Sequence, residues 1–418
     1  MMKITFLAIN YAPSVGGAQQ LVQRIAEGLV QRHGHQVTVV TTDALYAPAG
    51  KNPGKIPVGR EVIAGVEVFR LPVSRRTHDL LRVLRRLGAR FGRPIRPSVT
   101  AYGPWGVKLA FGARKAAKNS DVVVGVSAPF TTLPAADIFT RSRNTAAFVA
   151  LPILHLGDWV PSGSLLKSLL RADRCIALTT AEETWLLANG LEPSKGTVIP
   201  PGCTAGDTTL ARGAAQRKLG LIERPTVVFI GRLAAHKGID TLLAACPSLL
   251  SAHPDLSIVL AGSRTGWSGL GAALDAMPSD SAERVVVLED FAESDRDLIL
   301  GAADIVVVPS REEAFGMVIL EAWAAQRPVV ASDIAAVRSV IRDGVDGLLV
   351  PVAQPEALAA AVTSLLASPE TAQRLGLAGQ QRIAAEFSWE AVVDRWNEEL
   401  VSVAPTQGRT KPPEKDVT

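Results

Sequence analysis

Residues 303 to 332, ADIVVVPSREEAFGMVILEAWAAQRPVVAS, constrain the fold more than any other stretch of the chain. A β-branched apolar run, Ile305 to Val308, is closed by Pro309 and Ser310. A charged loop reaching Gly316 follows, then a helix-former-rich segment, then a second apolar run from Pro328 to Ala331. Two strands joined through a helix pair in parallel, and right-handed crossovers put ligands at their carboxyl ends. The loop carries Glu313, Phe315 and Gly316, and Glu321 lies on the helix, so two carboxylates eight positions apart flank a helix N-terminus. Free backbone N–H groups and the positive end of the helix dipole suit a phosphate or a polarised hydroxyl there. The spacing alone carries little; the strand before, the Phe-Gly between and the helix and strand after carry the reading.

The same rhythm runs through the chain. Strands are predicted over Ile4 to Ile9, Gln36 to Thr41, Val66 to Arg70, Asp121 to Val126, Ala146 to Ala150, Cys175 to Thr179 and Thr197 to Ile199, with a helix over Ala18 to Arg32. Pro200-Pro201-Gly202 stops the alternation and Gly206 to Gly220 is a polar stretch. The cycle restarts at Thr226 to Ile230 and continues through Ile258 to Ala261, Val285 to Leu288, Ile305 to Val308, Val329 to Ala331 and Leu348 to Val350. A chain of 418 residues exceeds one ordinary core. The expected class is therefore α/β, two Rossmann-like doubly wound domains: residues 1–200, then 201–386. Past Pro355 the chain reads as helical. Trp389, Val392, Val393 and Trp396 recur at helical spacing, which marks residues 387–403 as a helix packing back on one of the domains. Residues 404–418 read as a disordered tail.

Composition narrows the classes. Hydrophobic content of 47% with 20% charged residues is that of a folded protein, and a net charge of +4 at this length does not argue for nucleic acid. Three widely spaced cysteines, Cys175, Cys203 and Cys246, form neither a disulfide framework nor a C-x-x-C metal site, which points to the cytoplasm. The start, MMKITFLAIN, reads as a first strand and not a signal peptide, and the longest apolar run, Ala146 to Leu154, is too short to span a bilayer.

Further residues carry chemistry. GRLAAHKGID, residues 231 to 240, follows a strand directly, so Arg232 and Lys237 lie on a glycine-bounded loop where an α/β sheet binds anions. A planar fork and a point charge together suit a diphosphate. One cation about 4 Å from a developing negative charge, at an effective dielectric near 20, contributes roughly 4 kcal/mol, about a thousandfold in rate. The first loop, NYAPSVGGAQQ, ends in Gly16-Gly17 but lacks the G-x-G-x-x-G spacing of a dinucleotide site. Asp43 is the only hint of a ribose-binding acid there, so a nicotinamide-dependent oxidoreductase is disfavoured. His155 follows the strand Ala146 to Ala150; a lone His beside an apolar run is more often structural, yet its place suits a ligand contact. The other histidines lack metal-ligand spacing. Asp295-Arg296-Asp297 matches an Asp-x-Asp metal pattern but reads as a solvated helix face, and GSRTGWSGLG, residues 262 to 271, fits no phosphate motif. In His78 to Arg93, leucines and Phe91 share one helical face and arginines gather elsewhere, a pattern that suits an anionic leaflet or an anionic acceptor as well as an ordinary surface.

Together these motifs resemble glycosyltransferase family 4, the retaining GT-B enzymes that use nucleotide-sugar donors. The likeness rests on NYAPSVGGAQQ, IPPG at the seam, GRLAAHKGID, the E-A-F-G-x-x-x-x-E segment, RPVVAS, DGVDGLLVP and the FSW of the last helix. It implies two Rossmann-like domains facing a cleft, with a last helix crossing back to the first. It implies metal-independent, retaining transfer of a hexose from a UDP- or GDP-linked donor, with no further cofactor, to a glycan, lipid-linked or small-molecule hydroxyl, in envelope or polysaccharide biosynthesis. Arg232 and Lys237 would then neutralise the diphosphate and Glu321 would hold the ribose. Glu313 and the backbone of Phe315, Gly316, Met317 and Val318 would contact donor. Gly16 and Gly17 would approach the phosphates, and His155 would touch the sugar. A cytoplasmic enzyme, peripheral at the inner face of the membrane through His78 to Arg93, is the expected setting; a nucleotide-sugar binder without turnover is the alternative. Gln19, Gln326, Ser339 and Cys203 depart from the family pattern, which expects Glu, Gly, Glu and a small or branched residue there.

Overall fold

The computed structural model describes residues 1–45, 54–72, 114–115, 118–128, 132–141, 146–157, 160–204, 211–263 and 269–405. The basic stretch His78 to Arg93, most of the tail and part of the run from Gly262 to Gly271 lie outside them. The chain forms two units. One comprises residues 1–154, 159–200 and 389–418, the other residues 155–158 and 201–388.

The first unit holds an eight-stranded sheet in the order β3-β4-β2-β1-β5-β6-β7-β8, built from β1 (Lys3–Leu7), β2 (Gln36–Thr42), β3 (Gly59–Ile63), β4 (Val66–Leu71), β5 (Val122–Val126), β6 (Ala147–Leu151), β7 (Arg174–Ala177) and β8 (Gly196–Val198). All pairs are parallel except β3 with β4, a hairpin turned at Ala64-Gly65. The strand β3 was not legible in the sequence, because it is an edge strand exposed on nearly every residue and carries no apolar alternation. The helix Gly17–His33 leaves β1 at Gly16 and buries Leu21, Val22, Ile25 and Leu29. The last helix, Trp389–Val403, packs on it: Trp396 is fully buried with its ring 6.3 Å from that of Phe6, and Arg32 grips Asp394 through both Nε and Nη2.

The second unit holds six parallel strands in the order β11-β10-β9-β12-β13-β14, from β9 (Thr226–Ile230), β10 (Ser257–Gly262), β11 (Val285–Glu289), β12 (Ile305–Val308), β13 (Val329–Ser332) and β14 (Leu348–Val350). Its central strands are buried on both faces, which explains their unbroken Val/Ile runs. Ile258, Leu260 and Val307 pack against helices Ile239–Ala252 and Pro355–Ala367 in one apolar cluster. The chain winds outward from β9 to β11 and then jumps back to β12 beside β9. The carboxyl ends of β9 and β12 therefore form the point where strand order reverses, the crevice in which such sheets bind ligands.

Candidate functional site

The loops after β9 and β12 meet because of one backbone approach. Gly238 has φ +70°, and a Cβ there would lie 1.8 Å from the carbonyl oxygen of Pro309. With no side chain at Gly238, residues 235–240 lie directly on residues 309–313. Arg311 fastens the pair: its guanidinium donates to the Ala235 carbonyl and, in a fork, to both oxygens of Asp240 at 2.9 and 2.7 Å.

Within that frame Lys237 Nζ donates to Glu313 Oε1 at 2.6 Å, and Ser310 Oγ donates to the same oxygen at 2.8 Å. The two side chains are only 15% and 11% exposed, so their attraction is less screened than on an open surface. Arg232 is exposed, and its Nη2 lies 3.1 Å from His236 Nε2. Burial first, then the charges of Arg232 and Lys237, push the His236 pKa down to about 4, so this imidazole is neutral and accepts from Arg232. Among the described residues no carboxylate pairs with Arg232. Its positive charge is therefore uncompensated by any of the described residues.

His155 falls in the second unit with residues 156–158. Burial lowers its pKa, Lys237 and Arg232 add to the effect, and Glu313 opposes it, so it too is neutral at pH 7. Phe315 is buried, with its ring edge-on to Phe387 at 6.2 Å. Gly316, at φ +93°, turns the chain into helix Met317–Ala324, which begins without a side-chain cap. Met317 and Val318 form its first turn, where amide N–H groups face away from the helix. Gly16 and Gly17 stand in the first unit, at the corresponding junction of β1 and its helix.

Glu321, one turn into its helix, is the residue whose surroundings differ most from the sequence reading. Arg296 Nη1 donates to its Oε2 at 3.0 Å, while Arg296 Nε donates to Glu293 at 2.8 Å. The Asp295-Arg296-Asp297 segment is thus not a solvated face throughout: Arg296 opens helix Arg296–Gly301, and its side chain is 23% exposed. Spacing gave no signal of this, since the two partners stand 25 positions apart. Among the described residues no group of three His, Cys, Asp or Glu could hold a metal ion, and no helix is long and apolar enough to cross a membrane.

The chain matches two family models, glycosyl transferases group 1 over residues 224–368 and glycosyl transferase 4-like domain over residues 16–202. Curated relatives include the D-inositol 3-phosphate glycosyltransferase of Segniliparus rotundus, 36% identical over 229 residues, 53% of this chain and 51% of that protein. The chain spans about half the length of the curated relatives of that kind. The glycogen synthase of Mycobacterium tuberculosis is 29% identical over 413 residues, 94% of this chain and 92% of its own. Two solved structures share the fold. Sucrose-phosphate synthase from Thermosynechococcus elongatus superimposes with a TM-score of 0.72 at 21% identity, covering 96% of this chain and 99% of that one. Anabaena HepE in complex with UDP and glucose gives 0.68 at 20% identity, covering 96% and 100%.

Proposed function

Because the chain belongs to glycosyltransferase family 4 and has the GT-B fold, we propose that it moves a hexose from a nucleotide-diphosphate sugar to an acceptor hydroxyl, with retention at the anomeric carbon and without a metal. The observation that carries this reading is the charge of Arg232, uncompensated among the described residues, beside the half-buried Lys237–Glu313 pair, at the switch point of the second sheet. The departing nucleotide diphosphate gains about one negative charge, which these cations would stabilise. Lys237 is already half-balanced by Glu313, so the larger share falls to Arg232.

The other groups take positioning roles. Glu321 holds the ribose hydroxyls, and the uncapped turn at Gly316, Met317 and Val318 donates N–H groups to the donor. Glu313, held by Ser310 and Lys237, faces the sugar. His155, neutral, hydrogen-bonds a sugar hydroxyl without adding a positive charge beside the forming oxocarbenium character. The acceptor hydroxyl attacks on the face of the leaving phosphate, which takes its proton; the sugar–phosphate bond breaks as the new glycosidic bond forms. UDP-glucose is the first donor to try, since HepE is seen with UDP and glucose, and polyol phosphates and α-glucans are the first acceptors, after the names of the curated relatives. The free, buried cysteines suit a cytoplasmic enzyme.

The test is sugar transfer from a panel of UDP- and GDP-hexoses. Lys237→Ala and Glu321→Ala are each expected to lower the rate at least about a hundredfold while the circular dichroism spectrum is unchanged. Near-normal rates in both variants would overturn the site. Nucleotide binding without product from any donor would instead favour the non-catalytic binder.

A further inference from the structure

Glu321 and Arg296 carry an inference that rests on the ribose-binding reading above. Arg296 occupies one carboxylate oxygen of Glu321 at 3.0 Å, and no donor among the described residues reaches the other, Oε1. Arg296 is itself fixed from two further sides: its Nε donates to Glu293 at 2.8 Å, and its guanidinium lies 5.7 Å from the centre of the Phe291 ring. A guanidinium held at three points has little freedom, and it passes that rigidity to the carboxylate it grips. We propose that Arg296 is a positioning residue for donor binding: it holds Glu321 with its free oxygen presented to the cis-diol of a nucleotide's ribose and keeps that carboxylate charged.

The surroundings of Glu321 make its charged form costly without Arg296. Glu293 and Asp297 add negative charge, and Cys203 lies close enough for Glu321 to help raise its thiol. Burial raises the Glu321 pKa, and Arg296 is the group that pulls it back. A carboxylate that protonates loses its ability to accept two hydroxyl protons at once, so loss of Arg296 would weaken ribose binding most at acid pH. A positioning role for Arg296 differs in its signature from that of a merely structural ion pair. A structural pair would change folding stability and leave the pH dependence of binding as it was.

The experiment is calorimetric titration of the full chain with UDP, GDP and ADP, continued with whichever of UDP, GDP or ADP binds, on the unaltered protein, Arg296→Gln, Glu321→Gln and the double variant, from pH 5.5 to 8.5. Arg296→Gln is expected to raise Kd about tenfold at pH 7, with the acid limb of affinity moved to higher pH, and to raise it no further in the Glu321→Gln background. Arg296→Lys, which keeps the charge, is expected to recover part of the affinity and the original acid limb. Additive losses in the double variant, or an unmoved pH profile in Arg296→Gln, overturn the inference while leaving the ribose role of Glu321 intact. If Glu321→Gln binds as the unaltered protein does, or none of the three nucleotides binds at all, the ribose reading itself fails and the inference falls with it.

Discussion

Gln326 closes helix Met317–Ala324 in the left-handed conformation, φ +58°, with its own N–H on the Trp323 carbonyl and the Arg327 N–H on that of Ala322. This is the paired-bond ending in which glycine is favoured, because any Cβ meets the backbone there. The side chain is exposed, so nothing is lost by removing it. Gln326→Gly is therefore expected to stabilise the second unit by about 0.5–1 kcal/mol, the relief of strain less the extra freedom of glycine in the unfolded chain; a lower melting temperature in differential scanning calorimetry would contradict this. The residue scale also marks what sequence reading reached. The loop positions of Arg232, Lys237 and Glu313 after their strands and the helix position of Glu321 were legible because each is encoded locally. That Glu313 pairs with Lys237 and Glu321 with Arg296 was not, because residue spacing fixes which face of an element a side chain takes and not which element lies opposite.

The segment after β6 shows how an element places a side chain. Ile153 sits at φ +55°, an unusual conformation for a β-branched residue, two positions before His155. The carboxylate of Glu182, fully buried at the start of helix Thr180–Ala188, accepts the Leu154 and Leu178 N–H groups at 2.8 and 2.7 Å. It offsets the local strain and fixes the backbone that leads to His155. Burial raises the Glu182 pKa from 4.5 to about 7 against the lowering by those backbone bonds. A folded-state value above the unfolded one means that the contribution to stability is full below about pH 4.5 and is lost as pH rises through about 7. Unfolding free energy of the unaltered protein should thus fall relative to Glu182→Gln by on the order of 3 kcal/mol between pH 4.5 and pH 8. A difference that stays constant across that range in urea titrations would show that Glu182 does not titrate there. Helix and strand placement was legible along most of the chain, since buried parallel strands read as Val/Ile runs. The hairpin strand β3 escaped because its exposed residues follow no apolar period.

At the scale of the whole molecule neither unit is one continuous piece of chain. The first is completed by residues 389–403, whose helix returns after the whole second sheet and buries Val392, Val393, Trp396 and Leu400. Trp396→Ala is expected to cost about 3–5 kcal/mol, to loosen the first unit before the second, and so to expose its peptides first in limited proteolysis followed by mass spectrometry. Equal protection of both units in that variant would show the helix to be dispensable. The amino-acid sequence by itself determined the α/β class, the restart of the strand rhythm past residue 201, the helical end and the loops that carry the charged residues. Each of these depends on neighbours within a few turns of chain. Only the tertiary structure decided which charges meet. Strand order places β9 against β12, so Lys237 reaches Glu313 across 76 positions and Gly238 touches Pro309. The opening stretch, residues 303 to 332, supplies Glu313 and Glu321, and their distant partners come from the β9 loop and from helix Arg296–Gly301, because contacts between distant segments are set by how sheets and helices stack and not by any local period.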